Sequence, residues 1–258
     1  MEKVLYEKKG ALGIITLADP PFNLLGNELS QEFSRAVEQA SQDNLRGLLL
    51  KTDEGSFSAG ADVKMFLDLT PESAREAFSD FHKTLNAIET FPFPTMAAVQ
   101  GLCLAGGLEI ALAFDLIWAA DNAQFGQVEV TIGAIPFLGG AQRLAARAGA
   151  NRAKELVLGG RIYPVADFER WNIINRILPE QDLNVKAMAF MQNIAENGAT
   201  ISLGYSKRII HTCVEKGLAE ADRLSLDLAA ELFKTEDLRV GIQSFLENGP
   251  GKAKFSGK

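Results

Sequence analysis

The chain is poor in the residues that most often signal metal or nucleophile chemistry. Its 258 residues include two histidines, His82 and His211, and two cysteines, Cys103 and Cys213. Neither histidine sits in HExxH or near a cysteine, so a His-based metal site or a Ser-His-Asp triad has no marked partners. The sequence also gives no sign that either histidine lies beside the glycine-rich turns; surface or helix-packing roles are expected for both. The cysteines form no CxxC pair, and although they could make one bridge, nothing suggests a disulfide scaffold. No GxxxxGK[ST] phosphate loop is present, and no GxGxxG opens a helix. Excess positive charge is lacking as well: the formal net charge is -7. Broad attraction to nucleic acid or to anionic membranes is therefore not expected. A phosphate-bearing ligand would have to be held by local lysines, arginines or backbone N–H groups. The start, MEKVLYEKKG, has no apolar h-region of a secretory signal. The longest apolar window, Gly101–Ala120, is interrupted by Glu109 and Asp115. An acidic residue at mid-membrane costs roughly 2.5–3.5 kcal/mol, so a buried helix followed by a buried strand is the better reading. The expected setting is cytoplasmic and reducing, with no membrane and no nucleic-acid partner.

Hydrophobic residues make up 47% of the chain, enough for a sizeable core in one large domain or a domain with an appendage. GIITL, RGLLLKT, PTMAAVQG and LIWAAD read as strands, and the unbroken apolar runs among them predict strands covered on both faces. LSQEFSRAVEQASQ puts Leu29, Phe33, Val37 and Ala40 on one helical face, and GGLEIALAF and AQRLAARAG also read as helices. This alternation predicts an α/β class. Beyond Gly149 the periodicity is almost entirely helical, apart from a short strand near NRILP. The expected organisation is an α/β core over residues 1–195 and a helical region over 196–258.

Three segments carry candidate chemistry. In GLCLAGGLEIALAFD, a helix starting near Gly106 would leave its first N–H groups unpaired, a donor site for negative charge. Glu109 stands one turn in and could project beside that donor. Taken alone, the segment equally suits a helix start stabilised by an acidic residue, with glycines for tight packing. In FSAGADVKMF, the turn AGAD could supply another unpaired N–H, or Asp62 could simply cap a helix. The third, AQFGQVEVTIGAIPFLGGAQRL, places Glu129 among apolar residues; by itself this glutamate reads as a strand-face carboxylate pointing to solvent.

Together, and in this order and spacing, the three motifs resemble the crotonase family of enoyl-CoA hydratases and isomerases. The resemblance covers nearly the whole chain and is strongest from Phe57 to Arg143. It implies a spiral of ββα repeats with a helical C-terminal trimerisation region, assembled as a homotrimer or a dimer of trimers. It implies that the N–H groups of Ala61 and Gly106 receive the thioester oxygen. Glu109 of GGxE and Glu129 of FGxxE would hold water, with Glu109 activating it and Glu129 delivering a proton to C2. A dry, apolar surround keeps one such acid protonated more readily. The implied reaction is hydration of a trans-2-enoyl-CoA to a 3-hydroxyacyl-CoA, or the reverse, with no cofactor other than the coenzyme A of the substrate and no metal. The main chain of Ala59, Asp62 and Val63 and the side chain of Lys64 are implied contacts for the nucleotide end of coenzyme A. Phe255 and Lys258 of the tail are implied to reach a neighbouring subunit's coenzyme A site. One departure stands out: Phe137 follows "IP" where family hydratases commonly carry glycine. It keeps the N–H that helps hold the water but adds bulk near the acyl pocket. A double-bond isomerase or a specialised acyl-CoA dehydratase of the same fold is the alternative within the family, since one glutamate can suffice for moving a proton. A non-catalytic or RNA-binding member is the alternative outside catalysis; its best basic stretch would be GYSKRIIH (Gly204–His211).

Overall fold

A computed structural model describes residues 2–258. The apolar runs RGLLLKT and PTMAAVQG form adjacent strands of a six-stranded sheet. Its members are β1 (Val4–Lys9), β2 (Leu12–Leu17), β3 (Gly47–Thr52), β4 (Thr95–Val99), β6 (Leu116–Ala120) and β9 (Arg176–Leu178), paired in that order. Only β1 runs antiparallel to its neighbour. A smaller sheet joins β5 (Leu102–Leu104), β7 (Gln124–Gly126) and β8 (Tyr163–Pro164). Every residue of β2, β3 and β4 is buried, because alternate side chains enter different cores. Leu48, Leu50, Ala97 and Val99 face one cluster. Leu49, Met96, Ala98 and Trp118 face the other, against Leu183, Ala187 and Met191. Each large apolar side chain so buried contributes about 1.5–3 kcal/mol.

The helix carrying Leu183, Ala187 and Met191, α7 (Glu180–Asn197), covers the second face. On the first face lie α1 (Asn27–Gln42), α2 (Pro71–Thr90) and α3 (Gly106–Leu112). α1 buries Leu29, Phe33, Val37 and Ala40 on one stripe. All seven residues of α3 are buried, Glu109 included, as suits a helix that is apolar all round. α2 has no counterpart in the periodicity of the sequence, which shows only Phe81, Leu85 and Ile88 as a narrow apolar stripe. Its start is marked instead by Thr70, Pro71 and Ser73, which form a capping box with proline in the first turn.

Helices α4 (Gly140–Ala148), α5 (Ala150–Gly159) and α6 (Val165–Arg170) lead to β9 and α7. After α7 the chain forms α8 (Thr200–Lys216), α9 (Leu218–Leu232) and α10 (Glu236–Asn248). Large apolar side chains on these last helices stay exposed, among them Ile210, Val214, Leu226, Phe233 and Phe245. Lys207 pins α8 to the core: its Nζ lies 2.9 Å from Asp115 Oδ2. Among the described residues no helix is long and apolar enough to cross a membrane. Both cysteines are free, with Cys103 buried.

Candidate active site

The AGAD turn is held by main-chain bonds on both sides. The amides of Phe57, Ser58, Ala59 and Asp62 donate to the carbonyls of Gln100, Leu102, Phe22 and Leu25. The Gly60 amide donates to Ser58 Oγ. The Ala61 amide alone in this run has no acceptor among the described residues. Gly60 adopts φ +98°, and a side-chain carbon there would lie 2.9 Å from Ala105 Cβ and 3.7 Å from the Gly106 nitrogen. The AGAD turn therefore abuts the start of α3.

At that start the chain is bent sharply. Ala105, the residue before α3, has φ 49° and ψ -123°, a sparsely populated conformation for a residue with a side chain. Its own amide is tied to the Gly126 carbonyl at 2.8 Å, while the Gly106 amide has no acceptor among the described residues. Close packing requires glycine next: a side-chain carbon at Gly107 would sit 2.6 Å from the Ser58 carbonyl oxygen. Two unpaired N–H groups, on adjoining turns, thus border one cavity of 630 Å³ that Ala61 and Gly106 both line. Gly106 is buried and Ala61 half-buried, and an unpaired N–H that faces a cavity is a donor open to a ligand atom.

Glu109 and Glu129 line the same cavity. Glu109 is 2% exposed. Its Oε1 accepts the Leu138 N–H at 2.8 Å and the Gly140 N–H at 2.7 Å. Burial, reinforced by the nearby Glu129 charge, pushes its carboxyl up to about 7 against the pull of those N–H groups. Glu129 does not sit on a strand face toward solvent. It opens a turn of 3-10 helix, Glu129–Ile132, and is 8% exposed. Burial raises its carboxyl as well. Gln127, with its amide nitrogen turned to the acid, donates to Glu129 Oε1 at 2.6 Å and Oε2 at 2.9 Å. The Gln127 amide also reaches Gly140, where an added side-chain carbon would collide with it and approach Glu109 Cγ to 2.9 Å.

The cavity wall beyond the acids is aromatic. Phe78 stacks on Phe137 at 4.5 Å and 11°, and Phe66 meets Phe137 edge-on at 5.8 Å and 77°. The Phe137 N–H has no acceptor among the described residues. Ala59 and Val63 line the cavity. Asp62 caps a short 3-10 turn, Val63–Phe66, by accepting the Lys64 N–H, and Lys64 is exposed outside the lining. Phe255 and Lys258 lie elsewhere on this chain. Phe255 packs at Gly241 and gives its carbonyl to Arg46 at 3.0 Å, and the Lys258 carbonyl accepts the Asp237 N–H.

His82 corrects the sequence reading. It does sit beside a glycine-rich turn: its Nε2 is 2.8 Å from the Phe137 carbonyl oxygen. The sequence separation hid this, because the unforeseen α2 carries His82 back over the loop. His211 pairs instead with Glu215 on its own helix at 3.1 Å. Gln127, Arg143 and the amides of Leu138 and Gly140 were not singled out individually by the sequence, though the motifs FGQVE and GGAQR contain or adjoin them.

The enoyl-CoA hydratase/isomerase family model matches residues 7–258. A Mycobacterium tuberculosis protein named "Probable enoyl-CoA hydratase" is 35% identical over 248 residues, covering 95% of each chain. A "Crotonyl-CoA hydratase" of Syntrophomonas wolfei is 30% identical over 260 residues, covering 100% of this chain and 99% of the relative. The solved "Enoyl-CoA Hydrates Subunit I" of Geobacillus kaustophilus superposes with a TM-score of 0.91 at 31% identity, over 99% of this chain and 98% of that one.

Proposed function

This chain belongs to the enoyl-CoA hydratase/isomerase family, and on that premise we propose that it adds water to a trans-2-enoyl-CoA to give a 3-hydroxyacyl-CoA. The fold is the crotonase fold that the motifs resemble. One observation carries the reading: two buried carboxyls and two unpaired main-chain N–H groups border a single cavity.

The substrate thioester oxygen sits against the N–H groups of Ala61 and Gly106. As water attacks C3, electron density moves through C2 onto that oxygen, and donors already in place stabilise the enolate without reorganising. Losing one such donor typically costs ~10²–10³ in rate. Glu109 takes the proton from water, whose oxygen forms the new bond to C3. Glu129 delivers a proton to C2. Water's oxygen and two protons are thereby accounted for, and the glutamates re-equilibrate their protons through solvent. The elevated affinity of both carboxyls for protons suits this exchange near neutral pH. The Phe137 N–H adds a donor for the water. The reaction needs no cofactor beyond the coenzyme A that the substrate brings; Ala59 and Val63 border its path and Lys64 supplies a cation at the phosphates.

The exposed apolar side chains of α8, α9 and α10 support assembly through the region 196–258 as a homotrimer or dimer of trimers. A cytoplasmic setting, as the sequence predicts, is part of the same reading. The basic stretch near Lys207 favours catalysis over RNA binding, since Lys207 is 13% exposed and spent on Asp115.

The test is a spectrophotometric assay with crotonyl-CoA. The conjugated enoyl absorbance should fall and 3-hydroxybutyryl-CoA should appear. No consumption of any 2-enoyl-CoA, with active migration of a 3-enoyl double bond, would replace hydration by isomerisation.

A further inference from the structure

The Phe137–Leu138 peptide touches two side chains at once. Its carbonyl oxygen lies 2.8 Å from His82 Nε2, and its N–H donates to Glu109 Oε1 at 2.8 Å. A carbonyl can only accept, so Nε2 carries the hydrogen. One rigid peptide plane therefore joins an imidazole on α2 to the carboxyl on α3. The next carbonyl, of Leu138, accepts Arg143 Nη1 at 2.6 Å. Arg143 is held in turn by a forked pair to Glu89 at 2.8 and 2.7 Å and reaches Asn86 Oδ1 at 3.4 Å. His82, Asn86 and Glu89 follow one another at the i, i+4, i+7 spacing of a single helical face. This face of α2 fixes two successive carbonyls of the loop whose N–H groups hold Glu109.

We propose that His82 is a positioning residue for Glu109, acting through the Phe137–Leu138 peptide. The inference rests on the reading of Glu109 as a reacting carboxylate. A donor on the carbonyl end of a peptide polarises its N–H and strengthens the bond that N–H makes. It also fixes the plane, and with it the direction of the Leu138 N–H. The same peptide begins at the residue whose own N–H is proposed to hold the water, so one contact orders both. The charged group beside His82 is Arg143 of α4, which brackets Gly139 together with the imidazole and is itself held by Glu89.

Two variants separate a donor from a filler. His82→Gln offers an N–H at the reach of Nε2, whereas His82→Asn offers the same amide on a shorter stem. With crotonyl-CoA, H82Q should keep kcat within about twofold of wild type, while H82N should lose about 3- to 10-fold with little change in KM, the order expected for one neutral hydrogen bond. Independently of turnover, the Glu109 carboxyl followed by carbon-13 NMR should titrate roughly 0.3–1 pH unit higher in H82N than in wild type, and not in H82Q. Equal kcat and equal titration in both variants and wild type would overturn the proposal. So would equal impairment in both, because the donor would then be irrelevant. A wild type inactive on every 2-enoyl-CoA would overturn the hydratase reading alone, leaving the titration comparison to decide the role of His82.

Discussion

Glu109 and Glu129 face one cavity in unequal company. Oε1 of Glu109 takes two main-chain N–H groups from the loop before α4, whereas Glu129 is met by the side-chain amide of Gln127. Both are buried, and burial raises both carboxyls, that of Glu109 further through the nearby Glu129 charge. A main-chain cradle fixes the geometry of one acid, whereas the other is held by a side chain.

Replacing either acid by its amide keeps the shape and removes the proton. Glu109→Gln and Glu129→Gln should each lower kcat with crotonyl-CoA by about 10²–10⁴. Calorimetric binding of a saturated acyl-CoA should stay within a few-fold. Full turnover in either variant would remove that residue from the mechanism.

Glu109 also links stability to pH. The folded protein holds its proton up to about pH 7, whereas the unfolded chain releases it near 4.5. Between those values the native state binds more protons, so stability falls as pH rises. Above pH 7 the cost is complete, at about 3 kcal/mol. Glu109→Gln should therefore melt above wild type at pH 8, with the gap narrowing toward pH 5. A gap independent of pH would show that burial does not raise this carboxyl. In the same range kcat/KM of wild type should climb with pH toward about 7, as the base ionises.

Gly60 tests the packing of the two N–H turns. Gly60→Ala forces a side-chain carbon to 2.9 Å from Ala105 Cβ at φ +98°. It should cost about 1–3 kcal/mol in melting experiments and more than 10-fold in kcat, since the Ala61 amide must shift. Gly217→Ala, at φ +86° and ψ 170° with nothing within 4 Å, should lose a comparable amount, about 1–3 kcal/mol, to backbone strain alone yet keep normal kcat. Similar kinetics for the two variants would contradict this account.

The aromatic wall predicts substrate range. Phe137→Ala removes the ring stacked on Phe78. Its kcat/KM for bulkier 2-enoyl thioesters should rise about 10-fold relative to crotonyl-CoA, the scale of a few methylenes in an apolar pocket. An unchanged ratio in competition assays would place the acyl chain elsewhere.

Lys207→Met strips the ion-pair partner from Asp115, which would keep its bonds from the Thr95 N–H and hydroxyl. Breaking a largely buried pair costs about 3 kcal/mol, so the variant should melt lower yet turn over crotonyl-CoA normally per folded molecule. Lost activity without lost stability would assign Lys207 a different role.

Much of the scaffold was legible because burial on both faces leaves unbroken apolar runs. Leu48–Leu50 and Met96–Val99 could hardly be read otherwise. The two amide turns were legible through their small residues, AGAD and AGG, which close approach demands. Glu129 misled when taken alone, since a carboxylate between valines mimics strand alternation; it opens a 3-10 turn instead, buried and met by the Gln127 amide. α2 escaped because most of its surface is exposed and its apolar stripe is narrow. With it escaped His82 and Glu89, whose roles exist only once distant loops meet.

α2 lines the cavity with Ala77, Phe78 and Phe81 while gripping the loop that cradles Glu109. Under the proposed hydration, substrate scope and turnover are thus mechanically geared together. Evolution, or an engineer, could widen the cavity by trimming rings on this helix, but displacing the helix itself would slacken the acid and forfeit speed.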